Sequence, residues 1–201
     1  NLVINSVLEP GDHAITTCLE HNSVLRPMYQ HRAVGGEVDF VPFDGNGFVD
    51  PDAIARAIRG TTRMVVVNHG SNVIGTVQPV AEIGALCREA GVLFAVDAAQ
   101  TAGLVDIDMQ AMNIDVVCFT GHKSLFGPTG TGGMYVAEHV DITACRSGGT
   151  GVMSALKRQP DEYPWRMEFG TMNTMGIAGL LAGQRWIAAQ GGPSALCAHE
   201  M

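Results

Sequence analysis

The sequence predicts an α/β fold, a mostly parallel sheet sandwiched by helices. Two observations carry this expectation. Six short apolar runs rich in valine, isoleucine and phenylalanine alternate with helical patterns, and strands buried on both faces read as such continuous runs. The stretches between them carry the caps and breakers that start and stop helices. Strand and helix in alternation imply parallel strands joined by helical crossovers.

In chain order, Asn1-Leu-Val-Ile-Asn5 opens inside an apolar run with no initiator Met. It reads as the tail of a helix closed by Pro10-Gly11. Strands are expected at His13–Thr17, Val38–Pro42, Arg63–Asn68, Val92–Asp97, Asp115–Thr120 and Gly133–Val136. Helices are expected at Asn22–Arg32 and at Asp50–Ile58, where Asp50 is the N-cap and Pro51 the first helical residue. Pro79–Ala90 starts at a proline and ends before Gly91, and Gly176–Ala189 is a last amphipathic helix. A break at Gly191-Gly192-Pro193 follows. The two ends suggest a piece of a longer protein, with material missing on both sides.

The bulk numbers bound the function. With 201 residues and 46% hydrophobic content the chain can bury one sizeable core. Its formal net charge is -8 and no Lys/Arg cluster occurs, which argues against nucleic-acid and anionic-membrane partners. The five cysteines (Cys18, Cys87, Cys118, Cys145, Cys197) are scattered, without a CxxC. That spacing argues against a disulfide framework and against zinc, and points to a reducing cytoplasm. No signal-peptide pattern and no bilayer-length apolar run is present.

In a parallel sheet, ligands sit beyond the carboxyl ends of the strands. Val92-Leu-Phe-Ala-Val-Asp97 ends in an acid and is followed by Ala98-Ala99-Gln100. Alone, Asp97 is either a functional carboxylate or a structural cap. The next apolar run leads into Thr120-Gly121-His122-Lys123. Burial and a neighbouring cation would lower the basicity of such a lysine, as an amine nucleophile needs; the plainer reading is a surface lysine on a turn. Ser124-Leu-Phe-Gly-Pro-Thr-Gly-Thr-Gly-Gly133 is glycine-rich but matches neither a GxxxxGK[ST] nor a GxGxxG loop. It reads as a tight turn where backbone approaches a ligand or another chain. Asp97 and Lys123 end successive strands and should face one crevice. Pyridoxal-phosphate (PLP) chemistry needs that pair, an amine for the cofactor carbonyl and a carboxylate for the pyridine nitrogen, with hydroxyl and imidazole donors for the phosphate.

At this point the residues resemble a known family. Val96-Asp97-Ala-Ala-Gln100 and Thr120-Gly-His-Lys123 through Gly133 resemble the class V aminotransferase superfamily, and within it the cysteine desulfurase (NifS/SufS-like) branch. Glu20-His21-Asn22-Ser23, Ser71-Asn72-Val-Ile-Gly75-Thr76 and Arg166-Met-Glu-Phe-Gly170-Thr171-Met-Asn173 resemble further motifs of that family, in its order. The resemblance implies a PLP-dependent transferase of fold type I. Residues 1–190 would be its PLP-binding large domain, and 191–201 the start of a linker or helix toward a C-terminal small domain.

By the same resemblance Lys123 would carry the cofactor as a Schiff base and then move the α-proton. Asp97 would pair with the pyridinium nitrogen, and Gln100 would hydrogen-bond the phenolic oxygen. His21 would stack on the ring and shuttle protons. Thr120 and His122 would hold the phosphate, and Asn72 would contact the cofactor oxygen or the substrate carboxylate. Thr171 would reach the phosphate of the other subunit, which implies a homodimer with shared sites. Read singly, His21 is a residue leading into a helix, Asn72 a turn residue, Gly170-Thr171 a turn and Arg166 a salt-bridge partner.

The implied reaction converts L-cysteine to alanine and passes sulfur as a persulfide to an acceptor protein, as in iron–sulfur assembly. The rivals are a selenocysteine lyase, a true aminotransferase, and an inactive scaffold or dimerisation fragment. The family's persulfide cysteine, its substrate-carboxylate arginine and its upstream threonine loop for the phosphate have no counterpart among these residues. Cys87 and Cys118 read as core residues. Cys18 is the one cysteine expected near the crevice.

Overall fold

A computed structural model describes residues 1–200. The elements in order are α1 (Leu2–Val7), β1 (His13–Thr17), α2 (Asn22–Ala33), β2 (Glu37–Val41), α3 (Pro51–Ala57) and β3 (Thr62–Asn68). They continue with α4 (Val80–Ala90), β4 (Leu93–Asp97), β5 (Val116–Thr120), β6 (Gly132–Val136), α5 (Thr174–Ala189) and α6 (Pro193–Glu200). Every expected strand and helix is present, and the shifts at their ends have local causes. The second strand stops at Val41, before Pro42, which has no N–H to give to a ladder. The last long helix starts at Thr174 because the Asn173 side chain accepts from the Gly176 N–H at 2.9 Å and caps it.

The caps read from sequence are in place. Asp50 accepts from Asp52 N–H at 3.0 Å, with Pro51 following. Gly91 closes α4 with φ of 67°, a left-handed conformation that glycine adopts without steric cost.

The sheet runs β2-β1-β3-β4-β5-β6. All its pairings are parallel except β5 with β6, which is antiparallel. Each central strand feeds two cores. Val65, Val67, Phe94, Val96 and Val117 pack with Ile54 of α3 and Val80, Ile83 and Cys87 of α4 on one face. Met64, Val66, Ala95 and Val116 pack with Val3 and Ile4 of α1 and Val24 and Met28 of α2 on the other. This double burial is why the runs are continuous rather than alternating. Right-handed crossovers place α2 opposite α3 and α4, because the chain moves outward from β1 to β2 and then returns past β1 to β3. The reversal makes a switch point between β1 and β3, where a crevice opens at the strand ends.

Gly84 marks the closest helix contact of the first core. A Cβ there would lie 2.0 Å from the Met112 carbonyl oxygen. Backbone cannot yield as a side chain does, so Gly84→Ala is expected to destabilise the fold by about 1–3 kcal/mol. Urea denaturation checks this, and an unchanged midpoint would show that α4 can slide away from the segment at Met112.

Candidate active site

The carboxyl ends of the parallel strands carry Thr17, Asn68, Asp97 and Thr120. Beyond them lies a cavity of about 410 Å³, lined by His21, Ser23, Asn68, Gly70, Asn72, Asp97, Ala99, Gln100, Thr120, His122 and Lys123. That size lies within the range of small-molecule sites. A larger hollow of about 630 Å³ lies at the other end of the sheet, against Arg63, Leu93 and Asp115. It is away from the strand ends where the convergent polar groups stand.

Seven of the eight residues singled out from sequence line this one cavity, although they are spread along the chain from His21 to Lys123. The eighth, Thr171, is exposed and stands outside its lining. Asp97 is half-buried, and its Oδ1 accepts from Ala99 N–H at 2.9 Å. Its backbone is held by Cys118 O, which accepts from Ala98 N–H, and by its own carbonyl, which accepts from His69 N–H. One Asp97 oxygen caps the turn, as its structural reading has it, and the residue also lines the cavity. Gln100 is half-buried beside it.

His21 is the N-cap of α2, and its Nδ1 accepts from Ser23 N–H at 3.2 Å. A backbone N–H can only donate, so the neutral ring carries its proton on Nε2. Helix-leading residue and cavity wall are thus one and the same. Thr120 Oγ1 and His122 Nδ1 lie 2.8 Å apart, a hydrogen-bonded pair at the end of β5. Asn72 stands at the exposed tip of a turn made by Ser71, whose Oγ accepts from Val73 and Ile74 N–H.

Lys123 and its neighbour His122 are exposed, as the plainer reading of a surface lysine on a turn has it, because the turn at Gly121 carries them past the end of the sheet. The glycine-rich run packs tightly against its own chain. A Cβ at Gly121 would meet Thr131 Oγ1 at 2.2 Å, and one at Gly127 would meet Leu180 of α5 at 2.7 Å. Cys18 is exposed, yet it is outside the cavity lining; its Sγ lies 3.8 Å from the Phe40 carbonyl of β2.

The other thiols are no better placed. All five cysteines are free. Burial pushes the Cys87 thiol up to about 12 and the Cys118 thiol up to about 11. Neither supplies thiolate near neutrality. Arg166 has the structural role that its plain reading offered: it bonds the Asp141 carboxylate, and its Nε donates to Asp161 O at 2.6 Å.

Sequence reasoning missed Asn68 and the weight of Glu20. Asn68 Nδ2 donates to Leu19 O at 2.6 Å, and its backbone N–H donates to Glu20 Oε1 at 2.9 Å. The signal for Asn68 was there, since it is a polar residue closing an apolar run, as Asp97 is. Nothing local marked Glu20 as buried.

The donor set fits a phosphorylated, carbonyl-bearing aromatic cation. It combines one amine, one carboxylate able to face a cationic nitrogen, a primary amide, and a hydroxyl–imidazole pair for an anion. Comparison with known proteins agrees with this chemistry. The family described as aminotransferase class V matches residues 1–201. A probable cysteine desulfurase of Methanothermobacter thermautotrophicus is 38% identical over 174 residues, 85% of this chain and 44% of that protein. The cysteine desulfurase CsdA of Escherichia coli superposes with a TM-score of 0.82 at 30% identity, over 94% of this chain and 48% of its own. A structure of SspA in complex with cysteine gives a TM-score of 0.76 at 30% identity, over 86% and 47%. The chain spans about half the length of these relatives. Among the described residues no helix is long and apolar enough to cross a membrane.

Proposed function

The chain belongs to the class V aminotransferase family, and from that premise we propose that it is the PLP-binding large domain, residues 1–190, of a cytoplasmic cysteine desulfurase. The observation that carries the proposal is the convergence of Lys123, Asp97, Gln100, His21, Asn72, Thr120 and His122 on one cavity at the strand ends. The substrate reading is L-cysteine, converted to alanine with the sulfur passed to an acceptor protein. The relatives named cysteine desulfurase and the neighbour solved with cysteine support it.

PLP, when bound, supplies an electrophilic carbonyl carbon and an electron-withdrawing ring. The residues do the rest. Lys123 Nζ holds the cofactor and takes the α-proton of the substrate. The Asp97 carboxylate keeps a proton on the ring nitrogen by charge, while its Oδ1 stays fixed by Ala99 N–H. Gln100 bonds the phenolic oxygen, and the Thr120–His122 pair binds the phosphate. His21 covers the ring with its proton on Nε2, since Nδ1 is occupied. Asn72 meets the cofactor oxygen or the substrate carboxylate. Thr171, exposed and outside this cavity, serves the phosphate of a second subunit, so the working form is a homodimer. None of the five cysteines lines the cavity, and none of them is assigned the role of sulfur acceptor.

The test is a visible spectrum of the protein with PLP, then borohydride reduction and peptide mapping. A yellow band and a single pyridoxyl group on Lys123 are expected. A colourless protein, or label on Lys157 in place of Lys123, would overturn the reading.

A further inference from the structure

Beneath the cavity lies a carboxyl group for which the proposed chemistry has no use. Glu20 is 6% exposed. Its Oε1 accepts from Thr17 Oγ at 2.7 Å and from Asn68 N–H at 2.9 Å. Its Oε2 is buried without a partner, and so is Asn68 Oδ1. The amide orientation of Asn68 is fixed, because Nδ2 donates to Leu19 O. Two buried acceptors are thus orphaned on two residues that are already bonded to each other. An ionised carboxylate there would hold its charge on a buried oxygen that no donor reaches, which burial makes costly. A proton on Oε2 removes that charge.

We infer that Glu20 is a neutral carboxylic acid under the cavity floor, a positioning group that holds Asn68 and leaves Asp97 as the one carboxylate facing the cavity. Asn68 lines the cavity and pairs with Asp97 across the β3–β4 ladder, so what fixes Asn68 also fixes the strand end that presents Asp97. The charges around the two acids separate them. Burial raises Glu20 to about 8, and the negative field of Asp97 adds to the rise, against the lowering by its bonds from Thr17 and Asn68. Asp97 is half-buried and fronts an open cavity. His21, next along the chain, turns its Nδ1 to Ser23. The protonation state stands on the fold alone; its consequence for Asp97 rests on the PLP reading.

The sign of the pH dependence follows. The unfolded Glu20 releases its proton near 4.5 and the folded one near 8. Its contribution to stability is therefore complete below 4.5, falls as pH rises from there to about 8, and is level above. In Glu20→Gln that slope is gone, so wild type should lose melting temperature relative to the variant across this window. Titration of His13 and His69 is common to both proteins and cancels.

The direct test is infrared spectroscopy of the wild-type protein at pH 7, with and without ¹³C-glutamate. A protonated-carboxyl C=O band that shifts with the label and is absent from Glu20→Gln is expected. This readout needs no cofactor, and the melting curve of Glu20→Gln shows that the variant compared is folded. With PLP, Glu20→Gln should keep Lys123 labelling at the wild-type level. Glu20→Ala, which strands Thr17 Oγ and Asn68 N–H, should weaken PLP binding about tenfold. Absence of the band, a level stability difference, or loss of labelling in Glu20→Gln would each overturn the inference. Failure of the PLP reading alone would look different: the band would be present and Lys123 unlabelled in both proteins.

Discussion

Replacing Lys123 by alanine is expected to abolish the borohydride-trapped label and to lower any turnover of L-cysteine by about 10²–10⁴-fold, the range for loss of a positioned proton-transfer group. The fold should be untouched. Lys123 is exposed and, among the described residues, forms no salt bridge, and the turn around it is held by backbone: Phe126 N–H donates to Lys123 O at 2.9 Å and Gly127 N–H to Gly121 O at 2.7 Å. Any side chain keeps those bonds. Melting temperature and cofactor absorbance measured on the same sample separate the two effects. A Lys123→Ala protein that still carries a reducible label at one site would transfer the role to another amine.

The second large effect is expected at Asp97→Asn. Asparagine keeps an oxygen for the Ala99 N–H, so the turn after β4 survives and stability should change little. What is lost is the charge. An opposite charge at contact distance shifts a proton equilibrium by about 1–3 pKa units, so protonation of the ring nitrogen should fall by about 10–10³-fold and turnover with it. Labelling of Lys123 should persist, because the amine is intact. Turnover, label yield and melting temperature of the variant check the three parts. Full turnover with the charge removed would return Asp97 to its other sequence reading, a structural cap.

These two residues also show how far the sequence could be read. Asp97 and Lys123 were found because each directly follows an apolar run, and a parallel sheet collects the ends of its strands. The same rule applied once more would have reached Asn68, which ends β3 and lines the cavity. Thr171 was named on motif alone, and it stands exposed and outside the cavity lining. The sequence leaves Lys123 open between a buried amine and a surface lysine, and it is exposed. Burial depends on what covers the end of the sheet, and a turn carries no record of that.

By itself the sequence determined the elements, their alternation, the helix caps at Asp50 and Gly91, and the chemical set of amine, acid, amide, imidazole and hydroxyl. Those signals are local: a period, a capping atom, a residue type after a run. Tertiary structure alone decided the rest. It set β1 between β2 and β3, and so where the crevice opens. It laid the glycine-rich run against α5 and placed Glu20 beneath Asn68 with one oxygen unpaired. Strand neighbours and the desolvation of a carboxyl are fixed by contacts between residues far apart in the chain, such as Glu20 and Asn68. Such contacts leave no pattern in the residues on either side.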